Sequence, residues 1–245
     1  MNFQLLRLEP DSKALAYWAS RNGGLSRDGD HGYALHALFC IAFGNLAPKP
    51  FRYFGGRQGL LAYSSVELDE LRLSASLAPP DVARALGLDT LDARAFPTVW
   101  KTGQCLGFEV RIRPIVRCKD GREQDAFLHA VGEAGCPEKA SEHGTISRRH
   151  AVYSEWLTKQ FAVDGAASLI EARMDSFSLT RVLRKGGMRE NGRRKTSNTA
   201  GPDVVFKGQL EVGDPDAFQR LLARGVGRHR AFGFGMLLLR PAGAC

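Results

Sequence analysis

A tyrosine and a histidine on one predicted helix are the residues best suited to acid–base chemistry. The stretch HGYALHALFCIAF (31–43) predicts a mostly apolar helix, on which Tyr33 and His36 are three residues apart and project from one face. An imidazole with an ordinary pKa of about 6.5 accepts or donates a proton near neutral pH, and a neighbouring phenol donates a hydrogen bond or orients a hydroxyl. A single histidine on such a helix is also a common packing residue, so the spacing alone leaves both interpretations open.

A glycine-rich loop near the end of the chain, GVGRHRAFGFG (225–235), predicts an anion-binding turn. Glycine permits positive φ and lets backbone amides approach a phosphate. The loop lacks the Gly-Lys-Ser/Thr of a nucleotide-hydrolysing loop and does not open a helix, so neither nucleotide hydrolysis nor dinucleotide binding is predicted. A plain turn is the alternative. The candidate phosphate-binding residues are Gly225, Gly227, Arg228, His229, Arg230, Gly233 and Gly235.

Positive charge is concentrated in RVLRKGGMRENGRRK (181–195), which we call the basic arm. It holds seven basic residues against Glu190, in a chain whose net charge is +8. Its glycines predict a flexible hairpin tip or loop that binds phosphates without sequence specificity, with a solvated loop as the alternative. Its basic residues are Arg181, Arg184, Lys185, Arg189, Arg193, Arg194 and Lys195. Arg148 and Arg149, in the predicted helix 147–162, are further candidate contacts, with a solvated helix end as the alternative.

Composition favours a soluble protein with a polyanionic partner. A calculated pI near 9.5 is typical of nucleic-acid-binding proteins, although other basic proteins share it. The five cysteines are widely scattered, so we predict free thiols, no metal site and no cofactor. No apolar run approaches the roughly 18 residues of a membrane span, and no signal-peptide core follows the N-terminus, so we expect no membrane association and a cytoplasmic location.

The order of the predicted elements indicates an α+β protein. Helices at 124–135 and 147–162, strands at 167–182 and 204–212, and a helix after Asp214 follow a long strand at 103–117 and precede a strand at 236–239. This is a ferredoxin-like βαββαβ unit with a helical insertion. The first half fits the same pattern less clearly, with strands at 3–9, 59–64 and 68–73 and helices at 11–21, 31–43 and 80–88. We place a domain boundary near residues 91–97, which divides the chain into domains 1–92 and 93–245.

Three blocks of the sequence resemble the CasE type of CRISPR repeat-processing endoribonuclease, in the RAMP superfamily of RNA-binding proteins. The first is the spacing of Tyr33, His36 and Phe43. The second is the strand GQCLGFEVRIRPIVR (103–117), and the third is GQLEVGDPDAFQRLLAR (208–224) with the glycine-rich loop and strand that follow it. This sequence departs from the family in an additional segment, 11–22, and in Cys40, where the family commonly has Trp.

The resemblance covers essentially the whole chain and implies a fold of two tandem ferredoxin-like (RRM-like) domains. It also implies a metal-independent endoribonuclease that cuts the stem-loop repeat of precursor CRISPR RNA by 2′-hydroxyl attack. The roles of catalytic histidine and tyrosine pass to His36 and Tyr33, and the additional segment brings Arg21 and Arg27 near them in sequence as candidate charge-stabilising groups, alongside Arg228. The expected partners are the repeat RNA, the mature guide RNA and other Cas subunits of a type I-E or related type IV effector complex.

Two other functions are compatible with these features. One is a RAMP subunit that holds guide RNA without cutting it, against which the Tyr33 and His36 pair argues. The other is a ferredoxin-like metabolic enzyme with a small anionic substrate, which leaves the basic arm unexplained. Binding to RNA at moderate salt separates the second function from the others.

Overall fold

The computed structural model describes residues 3–118, 121–133, 142–188 and 194–242, with the backbone alone at 57, 133, 142–143, 184–188 and 194–198. Contacts divide the chain into two compact units. Unit 1 comprises residues 1–98, 180–200 and 229–236, and unit 2 comprises residues 99–179, 201–228 and 237–245. The division into domains 1–92 and 93–245 stays a prediction.

The main elements of unit 1 are four strands and four helices. The strands form one sheet in the order β2-β3-β1-β4, and every neighbouring pair is antiparallel. In the numbering of a βαββαβ unit this order is 4-1-3-2, so unit 1 is ferredoxin-like with two helices in place of each single one. The elements are β1 (Gln4–Leu8), α1 (Ser12–Arg21), α2 (Gly32–Phe43), β2 (Phe51–Gly55), β3 (Gly59–Ser64), α3 (Leu68–Ala75), α4 (Pro80–Leu86) and β4 (Asp92–Ala95).

Local signals in the sequence account for most of these boundaries. Asp11 caps α1, because its carboxylate accepts from the backbone amides of Lys13 and Ala14. Gly87 ends α4 in the left-handed conformation that glycine adopts without strain. The apolar side of α2 packs into the core of unit 1, which includes Leu6, Leu8, Leu35, Leu38, Phe39, Phe43, Phe51, Leu60 and Leu86.

One predicted strand of unit 1 is wrong. Residues 68–73 belong to helix α3, and β3 pairs with β2 instead. Leu68, Leu71 and Ala75 recur at helical spacing and pack against the core, with Leu71 fully buried. The leucines therefore follow the 3.6-residue period of a helix, which a short window cannot distinguish from a strand.

The main elements of unit 2 form a second sheet in the order β10-β5-β9-β8. This is again 4-1-3-2, and the last residues of β8 and the first residues of β9 belong to unit 1. A small antiparallel hairpin, β6 with β7, and two helices lie between β5 and β8 in sequence, as the predicted helical insertion. The elements are β5 (Cys105–Ile112), β6 (Ile115–Arg117), β7 (Glu123–Asp125), α5 (Ala126–Glu133), α6 (Glu142–Phe161), β8 (Ala167–Met188), β9 (Arg194–Val212), α7 (Pro215–Arg224) and β10 (Leu237–Pro241).

Several boundaries in this part of the chain differ from the prediction. The strand predicted at 103–117 ends at Ile112 and resumes at Ile115, because Pro114 has no N–H for the ladder. Helix α6 begins at Glu142, before the predicted start at residue 147. The basic arm is not a loop throughout, since β8 continues to Met188 and β9 begins at Arg194.

The helix before the glycine-rich loop has the predicted ends. Asp214 accepts from the backbone amide of Ala217, Pro215 occupies the first turn, and Gly225 follows the last residue. Among the described residues, no helix is both long and apolar enough to cross a membrane.

Candidate active site

Helix α2 places Tyr33 and His36 beside an aromatic ring of the glycine-rich loop. Tyr33 stacks on Phe232 with ring centroids 6.2 Å apart, and His36 meets the same ring edge-on at 5.4 Å. All three residues belong to unit 1, although 196 positions of sequence separate His36 from Phe232. We call Tyr33, His36 and Phe232 the His36 cluster.

Close backbone packing brings the loop to this helix. A Cβ added at Gly32, in the first turn of α2, would overlap the carbonyl oxygen of Phe232, so only glycine allows this approach. Phe232 ends a short 3-10 turn, Arg230–Phe232, which Gly233 terminates at a φ of 83°. Gly32 thus lets the backbone of Phe232 approach α2, and the ring of Phe232 lies against Tyr33 and His36.

The surroundings of His36 keep its imidazole neutral near pH 7. Partial burial lowers the pKa of His36 below its ordinary value, and the positive charge of Lys49 lowers it further. Burial raises the pKa of the Cys40 thiol, whose sulfur lies 3.8 Å from Nδ1 and 3.9 Å from Nε2 of His36. A neutral imidazole beside a neutral thiol is suited to accept a proton.

The arginines near α2 in sequence are on the surface. Arg21 is the last residue of α1, Arg27 lies in the loop before α2, and both side chains are exposed. Their role as charge-stabilising groups stays a prediction. Lys49, which the sequence did not single out, is the cation whose charge acts on His36.

His229, which was predicted to offer charge to a polyanion, is mostly buried, and that role stays a prediction. Its side chain is 9% exposed, and it packs against the rings of Phe232 and Phe234. His229 adopts a positive φ of 61°, as do four glycines of the loop, with values from 71° to 83°. The predicted backbone conformation of Gly225, Gly227, Gly233 and Gly235 is therefore confirmed, whereas their binding of phosphate stays a prediction.

Close packing explains why one of these positions is occupied by glycine. A Cβ at Gly227 would lie 2.6 Å from the ring of Trp156.

Arg228 donates to Glu123 at 2.9 Å and remains 47% exposed, and Arg230 is partly buried. An RNA phosphate that binds Arg228 must therefore compete with Glu123 or share the guanidinium with it.

The side chain of Arg149 is mostly buried and paired, and its predicted contact with RNA stays a prediction. Its side chain is 17% exposed and bonds to the carboxylate of Asp125 at 3.2 Å and to the hydroxyl of Tyr153 at 2.8 Å. The rings of Phe127 and Phe177 lie 4.2 and 4.5 Å from its guanidinium carbon. Arg148 is partly exposed, and its RNA contact stays a prediction. Sequence spacing alone could not tell which of two adjacent arginines turns inward.

The basic arm is described in part. Arg181 forms an ion pair with Asp28, 3.0 Å long. Arg184 and Lys185 lie on β8, and Arg194 and Lys195 lie on β9, but their side chains are outside the described residues, as are Arg189 and Arg193 entirely. Among the side chains that the structure does describe, no group of three or more His, Cys, Asp or Glu could hold a metal ion.

Comparisons with solved structures establish the fold. "Structure A of CRISPR endoribonuclease Cse3 bound to 19 nt RNA" is 19% identical, with 98% of this chain and 100% of that chain covered and a TM-score of 0.62. Cse3 of Thermus thermophilus, bound to an RNA representing a pre-cleavage complex, is 19% identical over the same shares, with a TM-score of 0.58. A chain of a CRISPR RNA-guided surveillance complex, pre-nicking, is 17% identical over 98% and 100%, with a TM-score of 0.51.

These likenesses confirm the predicted fold of two tandem ferredoxin-like domains. No curated protein matches the sequence. The predicted resemblance to the CasE type is confirmed at the level of fold and family, because a family model described as CRISPR associated protein matches residues 2–241. The chain therefore belongs to the CRISPR associated protein family.

Proposed function

We propose that this protein is a metal-independent endoribonuclease that binds the stem-loop repeat of precursor CRISPR RNA and cuts it to give mature guide RNA. The observation that carries the proposal is the His36 cluster, in which a phenol and an imidazole lie on one helix face against a ring of the glycine-rich loop. Two motifs with separate chemical interpretations thus meet in one place. The similarity to structures named as CRISPR endoribonucleases bound to RNA supports the substrate class.

The reaction needs a base at the 2′-hydroxyl and a proton at the leaving 5′ oxygen. The neutral imidazole of His36 takes the 2′-hydroxyl proton, and the 2′ oxygen forms a bond to the adjacent phosphorus. The bond from phosphorus to the 5′ oxygen breaks, and the phenol of Tyr33 is the candidate proton donor to that oxygen. The products are a 2′,3′-cyclic phosphate and a 5′-hydroxyl, and no redox step or added co-reactant is required.

Negative charge that develops on the phosphorane requires cationic or amide donors. Exposed arginines at Arg21 and Arg27 and the partly exposed Arg228 are the proposed donors. The side chain of Lys49, exposed and electrostatically coupled to His36, is a further candidate.

RNA binding is proposed to rest mainly on phosphate contacts. An A-form stem presents its phosphates and shape more readily than its base edges, so the basic arm, Arg148 and the glycine-rich loop provide a sequence-independent share of affinity. After cleavage the protein is proposed to keep the guide and join other Cas subunits, as the likeness to a chain of a surveillance complex suggests.

The experiment uses end-labelled repeat stem-loop RNA with the purified protein in excess EDTA. We expect cleavage at one position, a 2′,3′-cyclic phosphate on the upstream fragment and a 5′-hydroxyl on the downstream fragment. The matched control substrate carries a 2′-deoxy nucleotide at the scissile position and should be bound but not cut.

Three results would overturn the proposal. Cleavage of the deoxy substrate would exclude 2′-hydroxyl attack, and loss of cleavage in EDTA would show that a metal is needed. Binding without cleavage of the natural repeat would support the RAMP scaffold function instead.

A further inference from the structure

The loop that precedes α2 holds the first residue of the basic arm through two hydrogen bonds. The backbone N–H of Arg181 donates to Oδ2 of Asp28 at 2.7 Å, and Nη1 of Arg181 donates to Oδ1 at 3.0 Å. Both residues belong to unit 1, together with α2. One carboxylate therefore fixes the backbone and the side chain of the same residue.

This contact is more favourable than an ordinary surface ion pair. The Asp28 side chain is 27% exposed and that of Arg181 is 49% exposed. A backbone donor loses no side-chain freedom when it bonds, whereas that loss weakens most exposed ion pairs. Hydrogen bonds to an ionised carboxylate are also stronger than those between neutral groups.

The position of Arg181 in its sheet gives the backbone bond a second role. Strand β8 is at the edge of its sheet, so alternate N–H groups point away from β9. Asp28 supplies an acceptor for one of these outward N–H groups. The loop thus covers part of a strand edge that would otherwise be open.

The loop that carries Asp28 is tied to α2. Ser26 is buried; its carbonyl oxygen accepts from Gly29 at 3.2 Å and its hydroxyl accepts from the amide of Asp30 at 2.8 Å. The carboxylate of Asp30 accepts from the amide of Gly32, in the first turn of α2, at 2.9 Å. The backbone of residues 26–32, with these hydrogen bonds of 2.7–3.2 Å, therefore connects Arg181 to the helix that carries His36.

We propose that Asp28 is a positioning residue, which anchors the basic arm to the loop before α2 so that RNA held by the arm is presented to His36. The proposal rests on the proposed function of the site. Arg181 accordingly anchors the arm, and a phosphate that binds its guanidinium must compete with Asp28 or share it.

The decisive variant is Asp28→Ala, because a simple net-charge effect and the loss of an anchor predict opposite changes in how well the protein acts on RNA. Removing a negative charge from a surface that binds a polyanion should strengthen RNA binding if only net charge matters. Loss of the anchor should instead lower kcat/KM for the repeat RNA, by about tenfold for a charge-assisted pair of hydrogen bonds. Part of that loss should persist in kcat at saturating RNA, because the bound RNA is misaligned.

Two milder variants separate the backbone bond from the ion pair. Arg181→Ala keeps the backbone N–H, and Asp28→Asn keeps one acceptor oxygen, so each should lose less activity than Asp28→Ala. The double variant Asp28→Asn with Arg181→Ala should lose less than the product of the two single losses, since both remove the same ion pair. Asp89→Ala, which removes an equal charge from an exposed turn of unit 1, is the matched control and should leave cleavage unchanged.

Amide hydrogen exchange without RNA tests the anchor independently of the reaction. Peptides that contain Arg181 should exchange faster in Asp28→Ala than in the wild type or Asp89→Ala. If the wild type fails to cut repeat RNA, the proposed function is wrong, but the exchange result still shows whether Asp28 anchors the arm. Unchanged exchange, or RNA binding and cleavage at least as strong as wild type in Asp28→Ala, would overturn this inference.

Discussion

Two clusters in this protein place polar side chains at helical spacing, and they use them in opposite ways. In unit 2, Asp125, Arg149 and Tyr153 form the Asp125 cluster, in which the polar groups bond to one another. Asp125 accepts from the Tyr153 hydroxyl at 2.8 Å and from the Phe127 amide at 2.8 Å, and it pairs with Arg149 at 3.2 Å. In the His36 cluster, by contrast, the described neighbours of the imidazole are an aromatic ring and a thiol.

The difference lies in what remains for a ligand. A carboxylate, a phenol and a guanidinium that satisfy one another stabilise the fold and have little capacity left for RNA. Burial, and then the charge of Asp125, raise the pKa of Tyr153, which removes it further from proton transfer. An imidazole held by weak contacts is positioned but remains able to exchange a proton. Polar residues at helical spacing therefore stabilise the fold in unit 2 and are proposed to carry out chemistry in unit 1.

The largest expected effect concerns the stability of the Asp125 cluster. Asp125→Ala leaves the mostly buried Arg149 without its carboxylate, so we expect the free energy of unfolding to fall by about 3–5 kcal/mol. Urea denaturation measures this. Glu155→Ala, which breaks an exposed pair with Lys159, should cost no more than about 0.5 kcal/mol. Equal small losses for both variants would remove the contrast between the two clusters.

The phenol of Tyr33 can be removed while its ring stays on Phe232. Tyr33→Phe should reduce single-turnover cleavage by about 10- to 100-fold, because proton transfer is lost but packing is kept. Binding of repeat RNA should change little. Tyr17→Phe, on an exposed tyrosine of α1, is the control. Wild-type cleavage by Tyr33→Phe would restrict Tyr33 to packing.

The charge of Lys49 provides a pH test of His36. If a neutral imidazole is the base, kcat/KM rises with pH through the pKa of His36, which lies below its ordinary value. Lys49→Met should raise that pKa and move the acidic limb of the profile to higher pH, so that activity at low pH falls relative to the plateau. Burial, the larger cause, remains, so the pKa should stay below the ordinary value.

Lys49→Arg retains the positive charge and is the matched control for this profile. Its acidic limb should lie close to that of the wild type. A Lys49→Met limb that moves to lower pH, or does not move, would contradict the role of His36 as the base.

The smallest expected effect is that of Arg148→Ala. Arg148 is partly exposed and adjacent to the inward-facing Arg149. Loss of one phosphate contact should weaken RNA binding uniformly across sequences and reduce the slope of log affinity against log salt by about 1. Stability should be unchanged. A fall in stability comparable to that of Asp125→Ala would place Arg148 with the structural cluster.

Features encoded by neighbouring residues could be predicted from the sequence. Helix α2 was expected at 31–43 and runs from Gly32 to Phe43, and the caps at Asp11 and Asp214 are as predicted. Each depends on a few adjacent residues, so local physical rules suffice. The order of elements in the second half likewise indicated one ferredoxin-like unit, whereas the other was implied by the resemblance to the CasE type.

Features that depend on distant partners could not be predicted. The residues near Arg149 in sequence do not indicate that it pairs with Asp125. Likewise, the residues near Arg181 do not indicate that it pairs with Asp28, which is 153 positions away. The burial of His229 depends on how the loop packs, and in the sequence only the two nearby phenylalanines indicate it. Helix α3 was missed because one turn of alternating leucines fits a strand as well as a helix.

The central claim is that His36 performs acid–base chemistry rather than packing. Its most direct test compares wild type, His36→Ala and the control His129→Ala, on α5, with labelled repeat RNA in excess EDTA, measuring cleavage and binding in parallel. We predict that His36→Ala loses about 10²- to 10⁴-fold in cleavage rate with RNA affinity preserved, while His129→Ala behaves as wild type. Cleavage by His36→Ala at the wild-type rate would contradict the account and place the catalytic groups elsewhere.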